Sequence, residues 1–282
     1  MKKLLTLSIA IFMVVSVFAM SVSAAPKATV DVKKGTAVVD GKIDDIWQYA
    51  AEMKLDRVNN GTAPGATGYA KLLWDDNNLY GLVVIEDKTK SMQTTALHLE
   101  DCLEVFFDFD NKKAGGNFTM DNQFRVLYDG FTPIETGMRN QTNLNTGYAD
   151  NIKFALGEPT ATQYVYEFSI NAKALKNNYA FKADALIGID FGFDDNTMND
   201  NVRTGSISWN ADGNVSADVA LAGTVKLVNV SAQPATTTAA ATTKAATGGT
   251  TAPKTGDPMA IIALLSAVSA TGVIVIGKKR SK

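Results

Sequence analysis

The 282-residue chain holds a single cysteine, Cys102, and a single histidine, His98. One cysteine excludes an internal disulfide framework and any multi-cysteine zinc site, and one imidazole excludes chemistry that needs two. Ser-His-Asp catalysis would have to run through His98, and no GxSxG surrounds any serine. Cys102 and His98, four positions apart, are too isolated a pair for a thiol enzyme, so a packed strand cysteine is expected. Positive charge is also scarce where it would matter. The formal net charge is −2, but eight of the 27 basic residues lie in the two ends, leaving 19 Lys and Arg against 28 Asp and Glu over residues 26–230. A body of net charge −9 repels a phosphate backbone, which argues against a nucleic-acid partner. Finally, residues 26–230 contain no long stretch with helical periodicity.

The two ends carry their own signals. Residues 1–25 run from Lys2 and Lys3 through an apolar stretch to Ser23, Ala24 and Ala25, the layout of a secretory signal peptide cleaved after Ala24 or Ala25. Residues 259–277 are 19 uncharged positions, long enough to cross most of a ~30 Å hydrocarbon core. Lys278, Lys279, Arg280 and Lys282 follow and favour the cytoplasmic side. Ala252-Pro253-Lys254-Thr255-Gly256 stands just before the span. Residues 231–252 are 22 positions of which 16 are Thr or Ala, with no aromatic or large aliphatic residue. Such a segment buries too little to offset its ordering entropy and reads as a disordered spacer. The expected organisation is therefore a signal peptide over 1–25, one domain over 26–230, a linker over 231–252 and a C-terminal signal with an apolar helix over 253–282.

Within the body, short alternating runs between turn residues predict strands over 28–33, 36–40, 68–74, 79–86, 102–110, 122–128, 152–156, 163–170, 186–193, 206–209 and 224–230. Helix is expected only over 43–53 and in a single turn at 172–175. Many strands with little helix predict an all-β fold, a single antiparallel β-sandwich of jelly-roll type. Alternation then separates core from surface. Leu103, Val105, Phe107 and Phe109 share one face of their strand and Glu104 the other; Phe124 and Val126 oppose Arg125 in theirs. If the two strands are neighbours, Glu104 and Arg125 project together, either as a clamp for a polyhydroxylated ligand or as an ordinary surface ion pair.

The order of motifs resembles the family 9 carbohydrate-binding modules and their DOMON-like relatives. The stretches that carry the resemblance are VDGKIDDIWQYA from Val39, AKLLWDDNNLYGLVVIEDK from Ala70, EDCLEVFFDFDN from Glu100, DNQFRVLYDG from Asp121, YVYEFSINAKAL from Tyr164, IGIDFGFDDN from Ile187 and RTGSISW from Arg203. The resemblance implies contacts to sugar hydroxyls from Glu104, Arg125 and Arg203, more loosely from Asn214, and core packing for Trp47 and Trp74. It also implies two aromatic platforms that this chain lacks. The first position holds His98, the second falls near Ala217, and Gly192 stands where the family has a ligand-contacting glutamine. Tyr69, Tyr80, Tyr148 and Phe131 are the aromatic residues that could substitute. Family members hold structural calcium, and Asp108, Asp110 and Asn111, followed by Gly115, Gly116 and Asn117, offer hard oxygen ligands around one loop. At the C-terminus, pentapeptide, span and basic tail resemble the cell-wall sorting signal of Gram-positive surface proteins, with Ala252 in place of the usual leucine. That resemblance implies cleavage by a sortase between Thr255 and Gly256 and covalent linkage of Thr255 to peptidoglycan.

The adjacent acids Asp44-Asp45, Asp75-Asp76, Glu100-Asp101 and Asp194-Asp195 are not glycosidase dyads, because neighbours on a strand face opposite ways. The sequence thus points to a secreted, wall-anchored, non-catalytic protein that binds polysaccharide or oligosaccharide. The competing expectation is a protein-interaction or structural module that kept the sandwich and lost the sugar.

Overall fold

The computed structural model describes residues 26–61, 65–91, 97–114, 122–127, 136–138, 144–198, 202–216 and 218–233. Among the described residues thirteen strands are present: β1 (Val30–Lys34), β2 (Met53–Leu55), β3 (Arg57–Gly61), β4 (Thr67–Trp74), β5 (Asn78–Glu86), β6 (Cys102–Asp108), β7 (Asn122–Leu127), β8 (Thr136–Met138), β9 (Ile152–Thr160), β10 (Gln163–Asn171), β11 (Leu186–Asp195), β12 (Gly205–Ser208) and β13 (Gly223–Ser231). Ten of them run in the order β8-β7-β6-β11-β13-β1-β4-β5-β10-β9, two halves joined through β1, with β12 paired to β11 and β3, and β2 to β4. The halves face each other across one core. Leu103, Val105 and Phe107 of β6 and Ile187, Ile189, Phe191 and Phe193 of β11 meet Tyr164, Tyr166, Phe168 and Ile170 of β10. Phe107 stands edge-on to Phe168 at 6.1 Å and Phe124 to Phe154 at 5.2 Å, so aromatic edges lock the layers together.

The expected β-sandwich is observed, with differences that have physical causes. Pairing is antiparallel except at β1, which runs parallel to both β13 and β4 and closes one edge of each half. Strands β2, β3 and β8 were not expected; they are three to five residues long, and β3, RVNNG, is mostly polar and carries no apolar alternation. The strand expected over 36–40 is absent. That segment crosses the outer face of β4, β5 and β10, and its polar backbone is bound by a side chain: Glu167 accepts from the N–H groups of Asp40 at 2.9 Å and Gly41 at 2.8 Å. The helix expected over 43–53 is reduced to a 3-10 turn, Asp45–Tyr49, which lays Trp47 on the same outer face. The turn at Ala172–Ala174 is present.

Trp47 and Trp74 are both buried, as expected, and Cys102 is fully buried. The body ends slightly later than the sequence suggests: Ala232 is buried and its N–H donates to the Lys34 carbonyl at 2.8 Å. The described residues within 26–233 share one continuous hydrophobic core, so this stretch carries a core of its own. The segment expected to be a signal peptide, the Thr/Ala-rich stretch beyond Gln233, residues 259–277, Thr255 and Gly256 lie outside the described residues.

Candidate functional site

On the outer face of the β6–β11 half, strand pairing sets a row across four strands. Arg125 of β7 lies opposite Glu104 of β6, Glu104 opposite Gly192 of β11, and Gly192 opposite Ser208 of β12. The alternation that buries Leu103 and Val105 forces Glu104 outward, and the same logic on β7 exposes Arg125 between Phe124 and Val126. Glu104 Oε1 accepts from Arg125 Nε at 2.9 Å, from an Arg125 terminal nitrogen, and from Gln123 Nε2 at 2.8 Å. All three bonds converge on Oε1, and Oε2 takes part in none of them. Burial opposes the charge on Arg125, but the field and hydrogen bonds of Glu104 outweigh it and raise its pKa.

A second ion pair stands beside the first. Arg203 donates to Asp194 Oδ1 at 2.7 Å, while Asp194 Oδ2 is buried with no partner among the described residues. Burial lifts the Asp194 carboxyl well above its ordinary range and Glu104 adds to the shift, with Arg203 pulling against both. His98 is exposed on a 3-10 turn, Leu97–Leu99, at the rim. Asn214, also exposed, accepts from the backbone N–H of Ser216 at 3.1 Å and from its hydroxyl at 2.6 Å. The structure brings all five sugar-contact candidates, Glu104, Arg125, Arg203, Asn214 and His98, to one hollow of about 290 Å³. Two cations face two carboxylates there, so the hollow has no excess charge.

The loop that carries Asn214 is anchored by a wholly buried carboxylate. Asp190 accepts from the N–H groups of Phe191 at 2.8 Å, Asn210 at 3.1 Å and Ala211 at 2.9 Å. Burial pushes its pKa up to about 7 even though these donors pull it down. The hollow also contains groups that the sequence did not single out: Asn59, Asn60, Ser206 and Asp194. Asn59 and Asn60 belong to the unforeseen strand β3. Asp194 was hidden in an acidic pair; being on a strand, Asp194 faces the hollow and Asp195 the core side.

Phe106 forms part of the hollow but is 3% exposed, and no ring stands there as an open platform among the described residues. Tyr69, Tyr80 and Tyr148 do not line it, and Phe131 and Ala217 lie outside the described residues. Gly192 leaves the middle of the row empty. A Cβ there would meet its nearest atoms at 3.5 Å and 3.8 Å, ordinary contact distances. Replacement by glutamine is therefore expected to leave the melting temperature within a few degrees of the parent, measurable by thermal denaturation.

The loop read as a calcium candidate is closed by its own hydrogen bonds. Asp108 Oδ2 accepts from Lys113 N at 2.8 Å, Asp110 pairs with Lys112, and Asn111 Oδ1 accepts from Thr224 Oγ1 at 3.3 Å. Gly115, Gly116 and Asn117 lie outside the described residues. A different set is better suited to a cation: Asp87, Asp101 and Asp195, all buried, place one carboxylate oxygen each within 4.8 Å of the others. Asp87 follows the end of β5 and Asp195 closes β11, both on the core side of their strands. Asp101 accepts from Ser91 N at 2.6 Å and Asn196 N at 2.9 Å, and Asp195 Oδ2 from Ala66 N at 2.8 Å. Asp87 Oδ2 and Asp195 Oδ1 are buried with no hydrogen-bond partner among the described residues. Buried oxygens without donors cost free energy that a hard cation would recover, so this donor set fits calcium. Burial raises the Asp87 pKa to about 6 and the Asp101 pKa to about 8, and that of Asp195 also rises.

Comparison with known proteins agrees with this architecture. A carbohydrate-binding module family 9 protein from Caldicellulosiruptor kristjanssonii, solved in complex with cellotriose, superposes with a TM-score of 0.60 at 21% identity, covering 72% of this chain and 95% of that one. The corresponding complex with glucose gives 0.60 at 22% identity, covering 72% and 97%. Among curated proteins, exoglucanase XynX of Acetivibrio thermocellus is 32% identical over 179 residues, 62% of this chain and 15% of that protein. Endo-1,4-beta-xylanase A of Thermotoga neapolitana is 32% identical over 180 residues, 63% of this chain and 16% of that protein. The chain thus matches only a small part of these enzymes. The family described as carbohydrate family 9 binding domain-like matches residues 39–230, and the chain belongs to that family.

Proposed function

We propose that the hollow holding Glu104 and Arg125 binds a neutral oligosaccharide or polysaccharide without cleaving it. The observation that carries this reading is the ion pair itself, mostly buried but opening into a concavity with a second pair, three asparagines and a histidine around it. Sugar hydroxyls both donate and accept. Carboxylate oxygens supply acceptors, guanidinium nitrogens supply donors, and hydrogen bonds to charged groups contribute about 1.5–3 kcal/mol each. The pairing also holds the groups in place before ligand arrives, which lowers the ordering cost of binding. With no open aromatic platform among the described residues, the single-site affinity is low.

Low affinity suits display in many copies. In this reading the protein is secreted, cut by a sortase between Thr255 and Gly256, and linked through Thr255 to peptidoglycan on a Gram-positive surface, where avidity multiplies weak contacts. Asp87, Asp101 and Asp195 would hold calcium. The ion would supply charge neutralisation there and fix the loop leading to His98 and β6, since Asn196 Nδ2 also ties the Leu99 carbonyl at 2.9 Å.

The test is titration of the 26–233 fragment with cellotriose by NMR. Arg125→Ala is expected to weaken binding about tenfold or more, the loss of one charge-assisted hydrogen bond, with the amide spectrum otherwise folded. Equal affinity of parent and variant would remove the site, and the absence of any sugar-induced shift at Glu104, Arg125 and Arg203 would remove the reading.

A further inference from the structure

A second hollow, of about 460 Å³, lies on the outer face of the other half of the sandwich. Its floor follows from strand register: Lys153 of β9 lies opposite Ser169 of β10, Ser169 opposite Tyr80 of β5, and Asn171 opposite Asn78. Further up the same face Leu82, Val84 and Val165 are apolar and covered by the segment bearing Trp47. The cover ends at residues 37–39, and polar side chains begin where it ends.

The polar floor is in two parts. One is braced internally: Asn171 Nδ2 donates to Asn78 Oδ1 at 2.9 Å, Asn78 Nδ2 to the Tyr80 hydroxyl at 3.1 Å, and that hydroxyl to Asp75 Oδ2 at 2.7 Å. The other part is unspent. Ser169 is only 6% exposed, lines the hollow, and its hydroxyl makes no hydrogen bond among the described residues. The side chains of Asp150, Asn151 and Lys153 at the rim likewise make none. The Ser169 oxygen is not sealed from the hollow, so water or a ligand can meet it there.

We infer that this hollow is a second glycan-binding site, taking a neutral oligosaccharide on the face of the sandwich opposite Glu104 and Arg125. Three features select that ligand class. Donors and acceptors are mixed, from the Asn151 amide, the Ser169 hydroxyl, the Asp150 carboxylate and the Lys153 ammonium, as hydroxyl groups require. One cation and one anion leave no excess charge to select a phosphate, a sulfate or a polyamine. The wall is aliphatic, with Ala37, Val39 and Val38, the last 61% exposed, so a sugar's C–H face has an apolar surface to cover. Two sites on opposite faces would let one molecule bridge two glycan chains, multiplying avidity without enlarging either site.

NMR titration of the 26–233 fragment with cellotriose, xylotriose and mannotriose at millimolar concentration tests the inference. At least one trisaccharide is expected to shift the amide signals of Asn151, Lys153, Ser169 and Asn171 in a saturating manner. The double variant Asn151→Ala/Lys153→Ala, altered only at the rim, is expected to raise the dissociation constant of this set about tenfold and leave the signals of Glu104, Arg125 and Arg203 responding as in the parent. Arg125→Ala is expected to do the reverse. No response of the second set to any of the three sugars, or an unchanged constant in the double variant, would overturn the inference. A silent first set with a responding second set would sustain it and remove the function proposed for the first hollow.

Discussion

Calcium-saturated protein is expected to melt about 5–10 °C above metal-stripped protein at pH 8. A ligand at about a hundred times its dissociation constant stabilises the folded state by about 2.7 kcal/mol, and a domain of this size shifts about 2–4 °C per kcal/mol. The pH dependence has a definite sign. In the metal-free fold Asp87 titrates at about 6 and Asp101 at about 8, against an ordinary 3.8. Folded-state values above the unfolded ones mean that folding takes up protons. The contribution of these groups is therefore fully present below about pH 4 and is lost as pH rises through 6 and 8. Calcium competes with those protons, so its benefit is largest near pH 8 and fades towards pH 5. Asp195→Asn puts an amide beside the orphaned oxygens of the cluster. The variant is expected to lose the calcium response and to melt, metal-free at pH 8, no lower than the metal-free parent. Differential scanning calorimetry with chelator and with calcium, at pH 5 and pH 8, decides it; equal melting with and without calcium at both pH values would leave the cluster without a cation.

Glu167→Ala is expected to lower stability by about 3 kcal/mol, or about 6–12 °C in melting temperature. Glu167 is fully buried and satisfies three donors, Asp40 N, Gly41 N and, at 2.9 Å, Trp47 Nε1. Its removal strands all three under the segment that covers β5 and β10. Gly41 lies at φ +81, and a Cβ there would sit 2.6 Å from the Leu156 carbonyl oxygen, so the segment has little freedom to shift and recover the bonds. Glu167→Gln keeps an acceptor and is expected to lose roughly half as much. Denaturant melts followed by Trp fluorescence measure both. A Glu167→Ala midpoint indistinguishable from the parent would mean that apolar packing of Trp47 alone holds the segment.

Glu167 also shows where the sequence was legible. Residues 36–40 alternate like a strand, and Ala37 is indeed buried, but they join no strand ladder among the described residues. Their backbone found a carboxylate 127 positions away instead. Alternation reports which side chains turn inward; it is silent on what the backbone bonds to. The acids make the same point. Asp108, Asp110 and Asn111 stand together in the chain, yet their oxygens are taken by adjacent N–H groups, Lys112 and Thr224. Asp87, Asp101 and Asp195 look like separate turn acids and converge only because β5, β6 and β11 bring their ends together.

What the sequence determined by itself was local and periodic: the strands from β4 onward except β8, to within a few residues, the inward faces of β6 and β7, and therefore the outward direction of Glu104 and Arg125. A period of two is set by backbone geometry and needs no knowledge of the partner strand. Only the tertiary structure decided which strands are neighbours. Register across β7, β6, β11 and β12 put Arg203, Asp194 and Asn60 beside the Glu104–Arg125 pair, the meeting ends of β5, β6 and β11 formed the carboxylate cluster, and register across β9, β10 and β5 left a second polar hollow on the far face. Pairing between distant segments is fixed by burial of the whole core at once, and no single stretch of chain contains that information.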